Sequence, residues 1–445
     1  MIRPTFHLGG QHFEARKNWY ARPRHRRRRH ITVLRRNAVE ISRRAGREIQ
    51  VFRAAARGAC NCDTTGLPLT EDGFEVVNDP EVDIVVELIG GQQPAKDLIL
   101  TALANGKHVV TANKALIAKH GNEIFAKASE QGLMVAFEAA VAGGIPIIKA
   151  LREGLTANKI EWVAGIINGT CNFILTEMRD KGRDFADVLK EAQAKGYAEA
   201  DPTFDVEGID AAHKLTILAS IAFGIPLQFD KVYIEGISGV TGMDVAYAEK
   251  LGYRIKLLGI ARRVAQGVEM RVHPTLIPER RLIANVDGVM NAVLVKGDAV
   301  GATLYYGAGA GSEPTASAVV ADIVDVVRTL TSDPENRVPH LAFQPEAIAD
   351  IPVLPIGAVE TAYYLRLSAE DKPGVLADVT RILADHHISI EAILQKEPHH
   401  SETYLPIIML TQKTQESGLD AAIAQIEALE SINKPVKRIR LETLG

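Results

Sequence analysis

The chain has 445 residues, of which 47% are hydrophobic and 24% are charged, and its formal net charge is −4. Single hydrophobic cores rarely grow beyond about 250 residues, so this length predicts two to four domains. The composition excludes a mainly disordered protein, and no apolar run approaches the roughly 20 residues that a membrane-spanning helix needs. The cysteines Cys60, Cys62 and Cys171 are too few for a disulfide framework. We therefore expect a multidomain cytoplasmic protein without a membrane partner.

The charge is unevenly distributed along the chain. Residues 1–50 contain 14 lysines and arginines against 3 acids. The remaining 395 residues hold 37 of the 51 basic residues and 52 of the 55 acidic ones. The main part of the chain is therefore mildly acidic, which argues against a nucleic-acid partner, and only the N-terminal segment is basic.

Residues 82–141 alternate short apolar segments with helical ones. The segments are, in chain order, VDIVVELI (82–89), PAKDLILTALANG (94–106), HVVTA (108–112), KALIAKHGNEIFAKASEQG (114–132) and LMVAFEAAV (133–141). Strands and helices that alternate with short loops predict a βαβ-type parallel sheet, whose strands are buried on both faces. Ligands bind such sheets beyond the carboxyl ends of the strands. The predicted binding edge carries Gly90, Gly91, Lys114 and Glu138.

From about residue 144 the pattern changes to strands mixed with long helices, which predicts an α+β domain. The strand-like segments are KIEWVAGII (159–167), EMRVHPTLI (269–277), NAVLVKG (291–297) and ATLYYG (302–307). One long helix is predicted from about Gly208 to Phe223. A glycine-rich loop at 307–315 is predicted to open another helix at 316–330.

Two further segments lie toward the C-terminus. Residues 332–357 contain several prolines and no periodic pattern, which predicts an irregular linker. Residues 360–445 are predicted to form a compact unit of strand, turn, helix, strand, strand, helix and strand. The first turn of this unit is DKPGVL (371–376).

The densest group of polar residues lies between positions 197 and 214. Asp210 and Lys214 are four residues apart on a predicted helix, so they share one face of it. Glu199 and Asp205 lie in the loop that leads into this helix. One lysine among several carboxylates can bind a small polar substrate with a cationic group and can hold a proton donor in place. The alternative is an acid-rich helix N-terminus with a surface ion pair, which is a common structural feature.

Three weaker signals are each open to a structural interpretation. The Asn168-Gly169-Thr170 turn can present backbone N–H groups to a ligand, or it can be a plain turn. Lys114 can meet a phosphate or a carbonyl group, or it can simply begin a surface helix. The glycines of 307–311 can bring the backbone close to a phosphate or a ring, as any glycine-rich loop can. Cys60 and Cys62 lack convincing partners for a zinc site.

Seven segments, in this order and at this spacing, resemble homoserine dehydrogenases of the monofunctional, regulated type. They are ELIGG (87–91), TANKALIA (111–118), FEAAVAGGIPII (137–148), INGTCNFIL (167–175), YAEADPTFDVEGIDAAHKL (197–215), YGAGAGSEPTASAVVADI (306–323) and DKPGVL (371–376). The resemblance covers residues 32–445. It implies a reversible, NAD- or NADP-dependent interconversion of L-homoserine and L-aspartate 4-semialdehyde, a step in threonine, methionine and isoleucine biosynthesis.

The resemblance also implies the fold class, an α/β protein with three domains. A Rossmann-like dinucleotide-binding domain is followed by an α+β catalytic domain and a C-terminal ACT domain of ferredoxin-like fold. The implied bounds are 1–140 for the first domain, which 307–335 completes, 141–306 for catalysis and dimerisation, 336–358 for the linker and 359–445 for the ACT domain. ACT domains in this family pair with each other and bind an amino acid. We therefore expect a homo-oligomer with threonine as feedback inhibitor, and a purely structural, dimerising ACT domain is the alternative.

Matching positions imply roles for individual residues. Lys214 is the general acid/base on the substrate oxygen, and Asp210 orients it. Lys114 matches a lysine at the junction of cofactor and substrate, where it can offset oxyanion charge. Glu199 matches the residue that binds the amino group of the substrate, and Asp205 lies beside it.

The resemblance further implies a nucleotide site and a monovalent cation site. The cofactor contacts are Lys114, Gly90 and Gly309. The cation, which is usually sodium in the family, has as ligands Glu138 and the main-chain oxygens of Val141, Gly143 and Ile145. Oxygen ligands with a single carboxylate suit a hard ion of low charge. The alternative is a structural loop whose glycines allow tight packing.

The N-terminus departs from the family pattern. A glycine turn of the form G-x-G-x-x-G is expected after the first strand, but this chain has ARPRHRRRRH at 21–30. If arginine is encoded by CGN codons, reading Asn18–His30 one base later permits the string IGMLGLGTVGGGT. That string places glycines at 22, 24 and 27. We hypothesise that residues up to about 31, and perhaps 56–66, are translated out of frame.

Two other interpretations of the basic segment remain, an organellar transit peptide and a nucleic-acid-binding arm. Neither explains the missing glycine turn, and the family-like helix that resumes by Val33 leaves no room for an added extension. If the altered turn abolishes cofactor binding, the chain is instead a catalytically silent regulator that binds an amino acid. Cofactor affinity distinguishes that regulator from an active enzyme.

Overall fold

The computed structural model describes residues 15–20, 29–56, 66–395 and 404–445. The chain divides into two compact units, Met1–Gly154 with Ala310–Ala347 and Leu155–Gly309 with Ile348–Gly445. The predicted glycine turn, Cys60 and Cys62 lie outside the described residues. Within the described ranges, no helix has the length and apolar character needed to span a membrane.

The first unit is built on a six-stranded parallel sheet. Its strands are β1 (Ala15–Tyr20), β2 (Ile49–Ala55), β3 (Leu69–Thr70), β4 (Ile84–Glu87), β5 (His108–Thr111) and β6 (Val135–Ala136). The order across the sheet is β3-β2-β1-β4-β5-β6, and the described pairings are all parallel. The strand order therefore reverses between β1 and β4, which is the switch point at which nucleotide ligands bind in such sheets.

Helices pack against this sheet. They are α1 (Arg29–Arg36), α2 (Ala38–Ala45), α3 (Gly73–Val77), α4 (Ala95–Ala104), α5 (Lys114–Glu130), α6 (Ile147–Lys149) and, from later in the chain, α12 (Ser312–Thr329). Val319 and Ile323 of α12 share one buried core with Ile84 and Val86 of β4. Helix α12, which lies far along the chain from β4, thus forms part of the core of the first unit.

The second unit is built on an eleven-stranded, mostly antiparallel sheet. Its strands are β7 (Ile160–Ile166), β8 (Tyr233–Ile234), β9 (Tyr253–Val264), β10 (Gly267–Pro278), β11 (Met290–Gly297), β12 (Gly301–Ala308), β13 (Glu360–Glu370), β14 (Ile390–Gln395), β15 (Tyr404–Thr411), β16 (Thr414–Gln415) and β17 (Ile432–Leu441). The main path is β12-β11-β7-β9-β10-β17-β13-β15-β14, with β8 paired to β10 and β16 to β13. The predicted catalytic and ACT segments therefore share one sheet, joined where β10 pairs with β17.

The helices of the second unit cover this sheet. They are α7 (Gly169–Lys181), α8 (Phe185–Ala194), α9 (Thr203–Val206), α10 (Ile209–Phe223), α11 (Gly242–Lys250), α13 (Val375–Asp385) and α14 (Glu416–Glu427). All residues of α10 from Asp210 to Phe223 are buried. Helix α10 is thus buried on every side. Charged side chains are almost never fully buried without a partner, so the charged residues on α10 need a specific explanation.

Two sequence predictions differ in detail from the structure. The apolar run 133–141 forms only the two-residue strand β6, followed by a 3₁₀ turn at Glu138–Ala140. The glycine-rich segment 307–315 is not one loop, since its first two residues end β12 and its last four begin α12. Pro314 explains part of this difference, because proline is tolerated in the first turn of a helix although it suggests a loop in the sequence.

Two histidines beside β6 make the stability of the first unit depend on pH. His108 Nδ1 accepts a hydrogen bond from Met134 N (2.9 Å), and His340 Nε2 accepts one from Val135 N (3.0 Å). Burial lowers the pKa of each imidazole from 6.5 to about 4. Between pH 6.5 and 4 the unfolded chain therefore binds these protons and the folded chain does not, so the free energy of unfolding falls as the pH falls through this range.

We expect His108→Asn to weaken this pH dependence. Asparagine keeps an acceptor near the position of Nδ1 but does not titrate, so the variant should lose about 2 kcal/mol less than the parent chain between pH 7 and pH 5. Urea unfolding at both pH values measures the difference. Equal losses in the parent and the variant would show that His108 does not carry the effect.

Candidate active site

The polar cluster predicted at 197–214 is centred on the buried helix α10. Lys214 is only 9% exposed and Asp210 only 5%. Lys214 Nζ donates to Ile167 O (2.6 Å) and to Asp210 Oδ2 (2.8 Å). The alternative of a surface ion pair is therefore wrong. A buried pair of this kind costs desolvation energy, which indicates a role other than stabilising the fold.

Asn168 connects the carboxylates of this cluster. Its Nδ2 donates to Asp205 Oδ1 (2.8 Å) and to Asp210 Oδ2 (2.9 Å). Its Oδ1 accepts from Cys171 N (2.8 Å), so the same side chain caps helix α7. The sequence located this residue in a turn but gave no sign of the two carboxylate contacts. Asn168 therefore holds the carboxylates of Asp205 and Asp210 close to each other.

The other predicted residues of the cluster differ in their surroundings. Cys171 is fully buried and its Sγ donates to Asp205 O (3.1 Å), while burial raises the pKa of its thiol far above the ordinary value. It is therefore a small neutral packing residue. Asp205 is half-buried in α9, and Glu199 is exposed in the loop before it. Asp205, Asp210 and Lys214 thus lie together, and Glu199 lies at the surface of the same loop region.

The carboxyl ends of β4 and β5 form the predicted binding edge of the first unit. Glu87, 1% exposed, accepts N–H bonds from Ile89 (2.6 Å) and Gly90 (3.1 Å) through Oε1 and the Thr111 hydroxyl through Oε2 (2.6 Å). Gly90 and Gly91 have φ angles of 74° and 77°, which L side chains rarely adopt. Glu87 was not singled out in the sequence. Its side chain holds the Gly90-Gly91 turn at the switch point, and such a turn allows a nucleotide to approach the backbone closely.

Lys114 is the first residue of α5, directly after the cap residue Asn113. The Asn113 side chain accepts from Leu116 N (3.2 Å) and donates to Gly91 O (2.7 Å), so it joins this helix start to the Gly90-Gly91 turn. A lysine at a helix N-terminus is electrostatically unfavourable, because the helix dipole is positive there. This placement favours a functional role for Lys114, which is half-buried.

Gly309 in the second unit has no space for a side chain. A Cβ at this position would overlap the carboxamide of Asn291, which is 1% exposed. The same carboxamide lies near Gly169 at the start of α7, where an added Cβ would come within 3.6 Å of Asn291 Oδ1. Packing against Asn291 therefore explains a glycine at 309, independently of any contact with a cofactor.

Glu138, the predicted carboxylate ligand of a cation, lies in a hydrogen-bonded turn of the first unit. Its two carboxylate oxygens accept from Ile148 N and Lys149 N, both at 2.9 Å. Its own N–H donates to Asp322 Oδ2 (2.8 Å), and burial raises the pKa of both carboxyls, that of Asp322 to about 7. Within the loop that follows, Ala142 has a φ of 50°. The carboxylate is thus oriented by backbone amides, which leaves a lone pair on each oxygen.

The parallel sheet of the first unit and the lysine–aspartate pair of the second unit indicate one class of protein. The parallel sheet with its switch point and the Gly90-Gly91 turn is the architecture of a dinucleotide-binding domain, and a buried lysine–aspartate pair has the chemistry to transfer a proton. The combination is that of a nicotinamide-dependent oxidoreductase.

Comparison with known proteins identifies the family. Three family descriptions match, "Homoserine dehydrogenase, NAD binding domain" at residues 31–138, "Homoserine dehydrogenase" at 146–324 and "ACT domain" at 363–431. The chain is 68% identical over 416 residues to a homoserine dehydrogenase of Pseudomonas aeruginosa, covering 93% of this chain and 96% of that protein. It is 57% identical over 418 residues to one of Neisseria gonorrhoeae, covering 93% and 95%.

Solved structures agree with this assignment. A homoserine dehydrogenase from Thiobacillus denitrificans matches with a TM-score of 0.93 and 68% identity, covering 97% of this chain and 99% of that one. A hyperthermophilic archaeal homoserine dehydrogenase in complex with NADPH matches with a TM-score of 0.60 and 25% identity, covering 72% and 99%. The chain belongs to the homoserine dehydrogenase family and is an NAD(P)-dependent oxidoreductase that acts on a CH–OH group. The predicted family and fold class are confirmed.

Proposed function

We propose that Lys214 is the proton-transferring residue in the interconversion of L-homoserine and L-aspartate 4-semialdehyde. The observation that carries this proposal is the Lys214–Asp210 pair, buried on a helix whose other residues are mostly apolar. Two of the three Lys214 N–H donors contact Ile167 O and Asp210 Oδ2, which leaves one N–H for a substrate oxygen. When bound, the nicotinamide nucleotide exchanges a hydride with the substrate carbon.

The protein residues act on the proton and on substrate charge. In the reductive direction Lys214 Nζ donates a proton to the carbonyl oxygen, and in the oxidative direction it accepts the hydroxyl proton. Asp210 holds the lysine in position. Lys114 offsets negative charge on the same oxygen, and Glu199 with Asp205 binds the amino group of the substrate.

Further parts of the proposal concern cofactor, cation and regulation. Lys114, Gly90 and Gly309 contact NAD or NADP, for which the described strand ends provide a suitable edge. Sodium binds to Glu138 and to the main-chain oxygens of Val141, Gly143 and Ile145. The ACT segment, 359–445, binds threonine as feedback inhibitor, and the chain forms a homo-oligomer in the cytoplasm. The first domain, 1–140 with 307–335, binds cofactor, and residues 141–306 catalyse the reaction.

The direct test is NAD(P)+ reduction with L-homoserine, followed at 340 nm in the presence and absence of L-threonine. The parent chain is assayed beside a variant in which residues 18–30 are replaced by IGMLGLGTVGGGT, here named the glycine-turn variant. Turnover in either chain supports the proposed function. A folded glycine-turn variant that binds NADPH but does not oxidise L-homoserine would contradict it.

A regulatory, catalytically silent protein was the alternative expected from the sequence, because the arginine-rich segment stands where the family has its glycine turn, and the family matches favour the enzyme. The match to the NAD-binding family begins only at residue 31. A silent regulator binds L-threonine but neither NADPH nor NADH. Calorimetric titration of the parent chain with each ligand distinguishes it from the enzyme.

We expect Asn168→Asp to lower kcat/KM for L-homoserine by about 100-fold, because it loses both donors to the carboxylates and buries a further negative charge beside them. Aspartate still accepts the N–H of Cys171, so the cap of α7 is kept. Asn158→Asp is a matched control, since Asn158 also donates to one carbonyl and accepts one backbone N–H but at an exposed loop. Equal activity in both variants would exclude a positioning role for Asn168.

A further inference from the structure

Residues 233–237 form a short segment that includes β8. The segment lies between the active-site helices α9 and α10 and the ACT strand β17. Tyr233 and Ile234 pair with Arg271 and Val272 of β10. Ile237 N donates to Val206 O (2.8 Å), so the end of the segment is bonded to α9. The segment therefore joins the large sheet to the helix that carries Asp205.

The 233–237 segment touches the start of the active-site helix closely. A Cβ at Gly236 would lie 2.5 Å from both Glu207 Cα and Val206 O, so the two backbones are in direct contact. Gly208, which precedes α10 with a φ of 81°, lies against Ile234 and Val272. A displacement of the segment would consequently move the turn from Asp205 to Asp210.

The other side of the same segment is held by the ACT portion of the chain. Arg440 of β17, 1% exposed, donates through Nη1 to Glu235 Oε2 (2.6 Å) and through Nη2 to the Tyr233 hydroxyl (3.1 Å). Its guanidinium also lies over the Tyr233 ring, 4.7 Å from the centroid. Charge-assisted hydrogen bonds from a buried guanidinium are among the stronger polar contacts in proteins.

Arg440 is itself fixed in the core of the ACT portion. Its Nε donates to Glu416 Oε2 (2.8 Å), and Glu416 is fully buried at the start of α14. The Tyr363 hydroxyl of β13 donates to the same Glu416 oxygen (3.2 Å). One arginine thus connects a strand and a helix of the ACT portion to the 233–237 segment.

We propose that Arg440 and Glu235 are positioning residues for the substrate site. The ion pair between them holds the 233–237 segment against α9 and the start of α10, and so sets the placement of Asp205 and Asp210. A rearrangement of β17 or α14, such as one caused by an amino acid bound to the ACT portion, would act on substrate affinity through this pair. This inference rests on the proposed substrate role of Asp205 and Asp210.

The test is Glu235→Ala in the full-length chain, compared with Arg262→Ala. Arg262 pairs with Glu442 (2.7 Å), and its 24% exposed side chain matches the 27% exposed side chain of Glu235. Arg262 of β9 also joins a strand of the catalytic portion to the residue that follows β17, and its described ion pairs, with Glu442 and Glu269, do not involve residues 233–237. Glu235→Gln keeps an oxygen acceptor for Arg440 and serves as the conservative variant.

Hydrogen–deuterium exchange of peptides spanning 203–214 is the first measurement. We expect about five-fold faster exchange in Glu235→Ala, near-parental exchange in Glu235→Gln and no change in Arg262→Ala. Exchange in β13 should be unchanged in all three. Equal exchange in Glu235→Ala and Arg262→Ala, or acceleration across the whole ACT portion, would overturn the proposal.

Steady-state kinetics separates positioning from a general loss of stability. In the glycine-turn variant background, Glu235→Ala should raise KM for L-homoserine about five-fold, because Asp205 is displaced, and should lower kcat by a smaller factor, about two-fold, because Asp210 holds Lys214. A fall in kcat alone would overturn the proposal. If no chain oxidises L-homoserine, the proposed function fails, but the exchange experiment still decides whether Arg440 and Glu235 hold the 203–214 region.

Discussion

The glycine-turn variant should bind NADPH or NADH about 100-fold more tightly than the parent chain, because glycines at the first strand–helix turn let the pyrophosphate reach backbone N–H groups. In the parent the sequence at 21–30 is ARPRHRRRRH, which contains no glycine, and glycine is the residue that readily adopts positive φ angles and allows close approach of the backbone. Fluorescence titration of the reduced nucleotides measures the affinity of both chains.

The sequence of the first strand gives an independent reason for this expectation. β1 lies at the centre of the parallel sheet, between β2 and β4, where strands are normally apolar throughout. Its sequence is ARKNWY, whereas β4 is IVVE. The out-of-frame hypothesis therefore extends to a strand as well as to a turn, and sequencing of the coding DNA tests it directly.

The matched control carries the same replacement with alanine at the three motif positions, Arg22→Ala, Arg24→Ala and Arg27→Ala. This control restores the hydrophobicity of the segment without restoring the glycines. Tight binding by the control would show that the arginines, and not the missing glycines, weaken binding. Tight binding by the parent chain would contradict our interpretation of this segment altogether.

Lys214→Met should lower kcat for L-homoserine oxidation by about 1,000-fold in the glycine-turn variant, because general acid–base groups contribute in this range. The affinity for NADPH should stay unchanged, since the proposed cofactor contacts, Lys114, Gly90 and Gly309, do not include Lys214. Steady-state kinetics and a nucleotide titration measure the two quantities. A change of less than ten-fold in kcat would exclude Lys214 as the proton-transferring residue.

The control for Lys214→Met is Lys181→Met. Lys181 also forms an i,i+4 ion pair, with Glu177, but its side chain is 52% exposed. Removing an exposed pair should leave both activity and stability almost unchanged, because such pairs contribute at most about 1 kcal/mol. Thermal unfolding of both variants shows whether loss of the buried lysine has affected the fold.

Local pattern was enough to predict much of the fold. The alternation of apolar strands and helices in 82–132 predicted β4, α4, β5 and α5, because the spacing of apolar residues within a short segment indicates both the type of element and its buried face. The same reasoning placed α10 within one residue of its observed start. Its polar residues Asp210 and Lys214 were identified because they belong to the densest polar cluster and, four residues apart, share one face of the helix.

The sequence by itself thus determined the family, the order of elements and the position of the lysine–aspartate pair. Only the tertiary structure decided that Lys214 is buried, and that Asn168 bridges Asp205 and Asp210 across separations of 37 and 42 residues. It likewise decided that Arg440 holds Glu235, 205 residues away. Hydrogen bonds between distant residues have no period along a chain, so they arise only when folding brings their elements together.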